Sequence, residues 1–304
     1  MVTENDSIDF RDHLEILGSH ISGNLKYDLE LHLKKRFKNV IKFFNYVRSN
    51  KLAPVSVKLK VLKSCVMSAL LYNCEAFGQK IPEGLDQLYY KMIRAALGVR
   101  SNVSNLTLLV ESGCLPLECI IRRRQLKFFR RFMKSIERHS IRSAIFQKLL
   151  SNKSEYLNHY TTLDETYSSV DDLKEEYIRN VHDKIKTFAA DREKHYKYWV
   201  YLQLNPELKP SPFLGRIDKV GKAITKFRLG SHNLKIETGR WQRIPRNERL
   251  CSTCGVIGDE WHMFYDCVAI SRVDLNLPSE LSEMWDYSKV NTLFERVMAA
   301  ELLN

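Results

Sequence analysis

The chain has 304 residues, of which 44% are hydrophobic and 11% aromatic, enough to bury at least one core. Its net charge of +12 favours a polyanionic partner, with nucleic acid preferred to an acidic membrane. Twelve glycines and eight prolines argue against a many-stranded β protein. No apolar run approaches the roughly 18 residues of a membrane span, and the acidic N-terminus is unlike a secretory signal. Seven cysteines, an odd number, favour a reducing intracellular compartment, nuclear or cytoplasmic.

The first elements are predicted from periodicity. The segment Leu14–Ser22 alternates well enough for a short pair of strands that turns at Gly18. From Tyr27 to Arg48 the apolar residues recur at steps of three and four, which predicts one buried face of an amphipathic helix. These apolar residues are Leu33, Phe37, Val40, Ile41 and Phe44.

A row of lysines lies on another face of this helix, where Lys34, Lys38 and Lys42 repeat every four residues. Such a row is usually a solvated face. Residues 31–60, however, hold nine Lys or Arg and no acid, which strengthens the alternative that the row contacts phosphates.

Further helices follow. Pro54 suits the first turn of a second helix that reaches about Phe77. A third helix runs from Gly84 to Leu97, with Gly98 as its C-cap. A fourth helix begins at Pro116 and carries a basic ridge, which makes its cations candidates for phosphate contacts. The ridge includes Arg123, Lys127 and Arg130.

Residues 138–200 are helical in character and nearly balanced in charge, which predicts a connector between two functional parts. Prolines then mark a boundary near residue 210. From Gly215 to Arg249 the chain is basic again, and this segment is predicted to present a second basic surface. It holds ten Lys or Arg, and those predicted to form this surface are Lys226, Arg228, Lys235, Arg240, Arg243, Arg246 and Arg249.

A metal-ligand pattern follows this basic segment. Cys251, Cys254, His262 and Cys267 have the spacing C-x2-C-x7-H-x4-C. Three thiolates and an imidazole are a standard closed set for Zn²⁺, and four protein ligands leave no position open for water. The pattern therefore predicts a structural zinc site. The step from His262 to Cys267 does not fit one face of a regular helix, so the backbone must turn between them.

Two tryptophans flank this pattern. Trp241 and Trp261 are candidates for stacking on unpaired bases, and the alternative is that they belong to the core of a small domain.

Three stretches together resemble the C-terminal third of LINE-type (non-LTR) retrotransposon reverse transcriptases. Leu17–Ser22 before a basic helix is similar to the strand that closes the polymerase palm. The segments Leu70–Gly78 and Arg94–Val99 look like the thumb-region pattern of that family. Most specific is Phe227–Arg240, with the residues F-R-L-G-S-H-N-L-K-I-E-T-G-R, followed by E-R-L-C and the metal pattern. In this family the thumb clasps the template–primer duplex, which the resemblance implies for the basic helices here.

The polymerase motif of this family, F/Y-x-D-D, holds two Mg²⁺ ions and has no good counterpart in this sequence. The Asp171–Asp172 pair has polar flanks, and we interpret Ser169 as the N-cap of a helix with an acidic first turn. We expect neither polymerase nor endonuclease parts in the short segments before Leu14 and after Cys267. The chain is therefore predicted not to be an enzyme by itself, although a companion polypeptide supplying the palm in trans is conceivable.

The predicted fold is mainly α, with a remnant of palm-end strands (residues 1–26), a thumb-like helical bundle (27–137), a charged helical connector (138–210) and a zinc-knuckle domain with a C-terminal helix (211–304). The predicted function is binding of RNA or DNA, including an RNA–DNA hybrid, with no membrane and no small-molecule substrate. The alternative is a zinc-stabilised structural or interaction protein, or a retroelement relic without function.

Overall fold

A computed structural model describes residues 13–16, 19–22, 25–136, 140–151, 154–271, 275 and 287–299. Helices dominate these residues, which confirms the predicted mainly α fold. The helices are α1 (Leu25–Ser49), α2 (Val55–Val61), α3 (Met67–Leu70), α4 (Leu85–Leu97), α5 (Asn105–Ser112), α6 (Leu117–Ile136), α7 (Ser140–Ser151), α8 (Glu155–Thr166), α9 (Val170–Ala190), α10 (Tyr196–Leu204), α11 (Lys219–Arg228), α12 (Lys235–Trp241) and α13 (Tyr287–Ala299). Within the described ranges, no helix combines the length and the apolar character that crossing a bilayer requires.

The two strands are antiparallel, with β1 (His13–Ile16) paired to β2 (Ser19–Ser22) and Leu14 opposite Ile21. The strand pair predicted for this segment is therefore confirmed. The predicted turn residue, Gly18, lies outside the described residues.

Several predicted helix boundaries are confirmed. Helix α4 ends at Leu97, and Gly98 has a φ of +68°, a conformation that glycine adopts without steric cost. The amide of Val99 donates to the carbonyl of Arg94 at 3.1 Å and closes the helix end. Helix α6 begins directly after Pro116, as predicted.

The prediction that the second helix continues to about Phe77 is wrong. A π-helical turn at Leu62–Val66 joins α2 to α3, and α3 ends at Leu70. Asn73 then has a φ of +57°, so a separate 3-10 turn, Cys74–Phe77, follows. The short helix α5 was not predicted. Ser104 caps it by accepting a hydrogen bond from the amide of Leu106 at 3.1 Å.

The buried face of α1 differs from the predicted one. Val40 and Phe43 are buried, whereas Phe37 and Ile41 are 48% and 49% exposed. The buried stripe is therefore narrower than the apolar pattern indicated, and the two exposed apolar side chains lie on the side of α1 that also carries the lysine row.

By their contacts, the residues form two compact units, each built from segments distant in sequence. The first unit comprises Met1–Asn45, Lys63–Leu88 and Leu117–Lys174. The second comprises Tyr46–Leu62, Tyr89–Pro116 and Glu175–Asn304. The division into four segments at residues 1–26, 27–137, 138–210 and 211–304 stays a prediction.

In the first unit, α6 is the central element and packs against α7, α8 and the 3-10 turn Cys74–Phe77. The buried guanidinium of Arg122 donates to the carbonyls of Gly78 and Gln79, both at 2.8 Å. The ring of Phe129 stacks on that of Tyr160 with 5.6 Å between centroids. These contacts tie α6 to the turn and to α8.

The start of α9 is capped reciprocally. The amide of Asp172 donates to the hydroxyl of Ser169 at 2.9 Å, and the amide of Ser169 donates to the carboxylate of Asp172 at 2.7 Å. This is a capping box with aspartate in the place of glutamate, which confirms the N-cap interpretation of Ser169.

In the second unit, one apolar core includes side chains from α10, α11, the metal-ligand segment and α13. Phe227 lies at its centre, edge-on to Phe264 at 4.9 Å and to Phe294 at 5.4 Å between ring centroids. The predicted C-terminal helix is confirmed as α13 over its described residues. Because Cys251 and Cys267 belong to the same core, the metal-ligand segment is an integral part of this unit.

Candidate metal centre

The four predicted metal ligands lie together. One ligand atom from each of Cys251, Cys254, His262 and Cys267 lies within 4.8 Å of the other three. The sulfur of Cys267 is 3.9 Å from the sulfurs of both Cys251 and Cys254, and all three cysteines are free. The four residues can therefore hold one metal ion between them.

A tight hairpin positions the first two ligands. The amide of Cys251 donates to the carbonyl of Val256 at 2.7 Å, and the amide of Gly255 donates back to Cys251 at 2.9 Å. Gly255 has a φ of +70°, which the turn requires. A Cβ atom on Gly258 would lie 3.1 Å from the amide nitrogen of Cys251, so two backbone segments approach closely at this position.

A wide helical turn positions the other two ligands. Asp259 accepts a hydrogen bond from the amide of His262 at 2.9 Å and so begins the turn. The residues His262–Asp266 then form a π-helical turn, and the amide of Cys267 donates to the carbonyl of His262 at 2.8 Å. This geometry explains how ligands five residues apart face one ion, because a π-helical turn contains more residues than an α-helical turn.

The environment of these ligands suits a metal. His262 is buried, and neither of its ring nitrogens has a hydrogen-bond partner among the described residues. Burial disfavours the thiolate of Cys251, but backbone hydrogen bonds at Thr253 and Cys254 outweigh it and lower the pKa of Cys251 to about 6. Burial raises the pKa of Cys267 to about 11. Buried imidazole nitrogens without partners are costly unless a ligand engages them.

Two buried carboxylates, Glu237 and Glu260, form ion pairs in the segments next to the metal ligands. His232 and Glu260 are joined at 2.9 Å, and both are buried. Glu237 pairs with Lys197 at 2.7 Å and with Arg240 at 3.2 Å. Sequence reasoning missed these partnerships, because no spacing rule connects His232 to Glu260 across 28 residues. His232, Glu237 and Arg240 belong to the segment that carries the family resemblance, so this segment has a structural role.

The predicted phosphate-contacting cations fall into two groups. One group is exposed and comprises Lys34, Lys38, Lys42, Lys127, Lys226, Lys235 and Arg243. Among the described residues, no carboxylate pairs with Lys34, Lys38 or Lys42, so their ammonium groups are available to a ligand.

The second group is engaged within the protein. Arg228 is only 4% exposed and is bonded to Glu111 at 2.8 and 3.0 Å, so its predicted role in a basic surface is corrected. Arg130 donates to Asp164 at 2.6 Å, and Arg123 lies 3.6 Å from Asp171. Since these arginines have partners within the protein, α6 presents a weaker basic ridge than predicted.

Three arginines near the metal cluster also have partners. Arg240 pairs with Glu237, and Arg246 lies 3.7 Å from Asp259. Arg249 donates to the backbone carbonyls of Ile244 and Ile236. Arg240 and Arg246 remain partly exposed, whereas Arg249 fastens the hairpin to α12.

The two tryptophans are neither fully buried nor isolated. Trp241 is 38% exposed, and the guanidinium of Arg100 lies 3.6 Å from its ring centroid. Trp261 is 40% exposed and packs against Tyr265 at 4.5 Å between centroids. Both rings keep an accessible area for another aromatic group.

Comparison of the chain with protein-family models, with curated proteins and with solved structures finds no match in any of the three.

Proposed function

We propose that this chain is a nucleic-acid-binding protein in which a structural zinc ion supports a second basic surface. The proposed origin is the C-terminal part of a non-LTR retrotransposon-type reverse transcriptase. Two features support this proposal independently, the metal cluster in the second unit and the lysine row on α1.

The sulfur spacing favours zinc. In a tetrahedral site with zinc–sulfur distances of about 2.3 Å, neighbouring sulfurs lie about 3.8 Å apart. The observed separations of 3.9 Å agree with this value and are far longer than the roughly 2.05 Å of a disulfide. With four protein ligands, the ion has a structural role and binds no substrate.

The lysine row is the observation that carries the proposal of nucleic-acid binding. Lys34, Lys38 and Lys42 are exposed and lie one above another on α1. Four residues of α-helix rise about 6 Å, close to twice the axial spacing of about 3.4 Å between phosphates of one strand. The row can therefore follow a phosphate backbone, and the stretch without acids from residue 31 to residue 60 leaves the attraction unopposed.

Zinc would stabilise the second basic surface. The ligand segment shares its core with α11 and α12, whose exposed and partly exposed cations include Lys226 and Arg240. Losing the ion would loosen the hairpin that Arg249 fastens to α12. Trp241 and Trp261 add stacking surfaces for unpaired bases beside these cations.

Catalysis is not part of the proposal. Asp171 and Asp172 lie in the first turn of α9, where Asp172 accepts the amide of the N-cap residue Ser169, so we assign them a structural role. The proposed protein holds nucleic acid, and any polymerase chemistry would come from a companion polypeptide.

The decisive experiment measures binding of the zinc-loaded protein to an RNA–DNA hybrid across a salt series. If six to eight phosphates are neutralised, log K falls with log salt with a slope of roughly −5 to −7. An absence of binding at low salt by folded, zinc-loaded protein would refute the proposal.

A second candidate function is protein interaction, with zinc and helices providing only stability. Phe37 and Ile41, each about half exposed, favour this candidate because they lie next to the lysine row. The salt series separates the two candidates, since an apolar interface weakens little as salt rises.

A further inference from the structure

A cavity of about 370 Å³ lies in the second unit, between α10, α12 and the loop before α5. Six Lys or Arg and three Glu contribute to its lining. Arg228 is neutralised by Glu111, so five cations face three carboxylates and an excess of positive charge remains. A cleft lined by one dominant sign of charge concentrates ligands of the opposite sign. The cavity therefore suits a phosphate-bearing ligand, and its volume lies within the range of small-molecule sites.

Lys197 lies in the wall of this cavity with an unused donor. Its ammonium donates to the carbonyl of Gly230 at 3.1 Å and pairs with Glu237 at 2.7 Å. An ammonium carries three N–H groups, and the third has no partner among the described residues. Gly230 has a φ of +59°, and a Cβ atom there would lie 3.1 Å from the lysine nitrogen, so this backbone helps to fix the ammonium.

Glu260, in the same lining, has an unused acceptor. One oxygen of its carboxylate is bonded to His232 at 2.9 Å. The other oxygen is buried and has no hydrogen-bond partner among the described residues. A buried acceptor without a partner is costly, so a ligand that donates N–H groups would relieve this cost.

Aromatic rings and arginines complete the wall. The guanidinium of Arg246 lies 4.1 Å from the ring centroid of Tyr196, whose hydroxyl donates to Asp259 at 3.1 Å. Tyr198 is bonded through its hydroxyl to Ser104 at 2.7 Å. These fixed rings shape the wall, and the exposed guanidinium of Arg246 provides a flat cation for the phosphate of a nucleotide.

We infer that this cavity binds a single unpaired guanine nucleotide of a nucleic-acid strand, with Lys197 donating to the O6 atom, Glu260 accepting from the N1–H and N2–H groups, and Arg240 and Arg246 contacting the phosphate. Guanine is the base whose Watson–Crick edge places one acceptor beside two donors. Adenine, cytosine and uracil lack this order. The inference rests on the proposed function and names the base that the second basic surface selects.

The test compares three short oligouridylates whose central base is guanine, hypoxanthine or adenine, measured by fluorescence anisotropy with the zinc-loaded full chain. We expect guanine to bind about tenfold more tightly than adenine, the effect of one hydrogen bond to a charged group. Hypoxanthine lacks the N2 amino group and should fall between them.

Two variants test whether the preference for guanine arises in the cavity. Lys197→Gln should remove the preference for guanine, whereas Lys184→Gln, at an exposed position of α9, should keep it. Helical circular dichroism and zinc content confirm folding of each variant. As a measurement without any variant, 6-thioguanosine in the central position should crosslink to the peptide that contains Tyr196 and Lys197.

The outcomes separate the two proposals. Equal binding of the three oligomers with a steep salt dependence would overturn the guanine cavity and leave the proposed function intact. Crosslinking only outside the cavity would overturn it as well. Failure of all oligomers and of the RNA–DNA hybrid to bind would overturn both.

Discussion

The sulfur atoms of Cys251 and Cys267 lie 3.9 Å apart, although the two residues are sixteen positions apart in sequence. The separation is too long for a disulfide and matches two ligands of one tetrahedral ion. The hairpin that bears Cys251 and the π-helical turn that ends before Cys267 meet in the core of the second unit. The metal centre should therefore contribute to the stability of this whole unit.

We expect one zinc ion per chain, and its removal by a chelator should destabilise the fold. If free zinc is about a thousandfold above its Kd, the loss in the free energy of unfolding is about 4 kcal/mol. Atomic emission would measure the zinc content, and urea unfolding would measure the free energy of unfolding of the second unit. Cys254→Ser should lower the zinc content, whereas Cys65→Ser, at an exposed cysteine outside the cluster, should not. Equal zinc content in both variants would contradict the assigned ligands.

Arg228→Met should destabilise the second unit by about 3–5 kcal/mol, because it leaves the buried carboxylate of Glu111 without its cation. Lys226→Met, on the same helix but exposed, should change stability by less than about 0.5 kcal/mol. Urea unfolding measures both. The double variant Arg228→Met with Glu111→Leu should recover part of the loss, and a loss equal to the sum of the single variants would argue against direct coupling.

Replacing Lys34, Lys38 and Lys42 together by glutamine should weaken binding to the RNA–DNA hybrid and make the salt slope shallower by about 3. The charge-matched control replaces Lys148, Lys184 and Lys186, which are exposed on α7 and α9. Anisotropy across the salt series measures both variants. Equal slopes for the two variants would show that the lysine row is only a solvated face.

Ser169→Ala should lower the stability of the protein by about 1 kcal/mol, because the first turn of α9 loses its cap. Hydrogen bonds from Ser168 and Ser169 lower the pKa of Asp172. A lowered folded-state pKa stabilises the protein above the unfolded value of about 3.9, and this stabilisation is lost as pH falls through the folded-state pKa. The difference between wild type and Asp172→Asn should therefore be constant near neutral pH and shrink below about pH 4. A difference that grew on acidification would contradict this assignment.

The sequence was sufficient where a local rule decides the structure. The end of α4 at Gly98 and the cap at Ser169 follow from interactions within a few residues, and both were predicted. The metal cluster was predictable because ligand type and spacing are themselves local.

Prediction failed where distant partners decide. A basic residue in a basic segment was interpreted as surface, yet Arg228 is buried because Glu111 lies opposite it, 117 residues away in sequence. On α1, the helical period of the apolar residues was correct. The side that packs is set by neighbouring elements that the period does not reveal. The prediction that Phe37 and Ile41 lie on the buried face was therefore wrong. The same limit applies to the cavity, whose lysine and glutamate come from distant segments.

The partnership of Arg228 and Glu111 also affects how the chain can be divided for expression. A shortened protein beginning at residue 211 would contain all four metal ligands but neither Glu111 nor Tyr201, which bonds to the same carboxylate. Its Arg228 would then be a buried cation without a counter-ion, and the core would lack Val200 and Leu204 of α10. A soluble metal-binding piece should retain residues 89–116 and 175–210, for instance by joining them through a linker in place of residues 117–174.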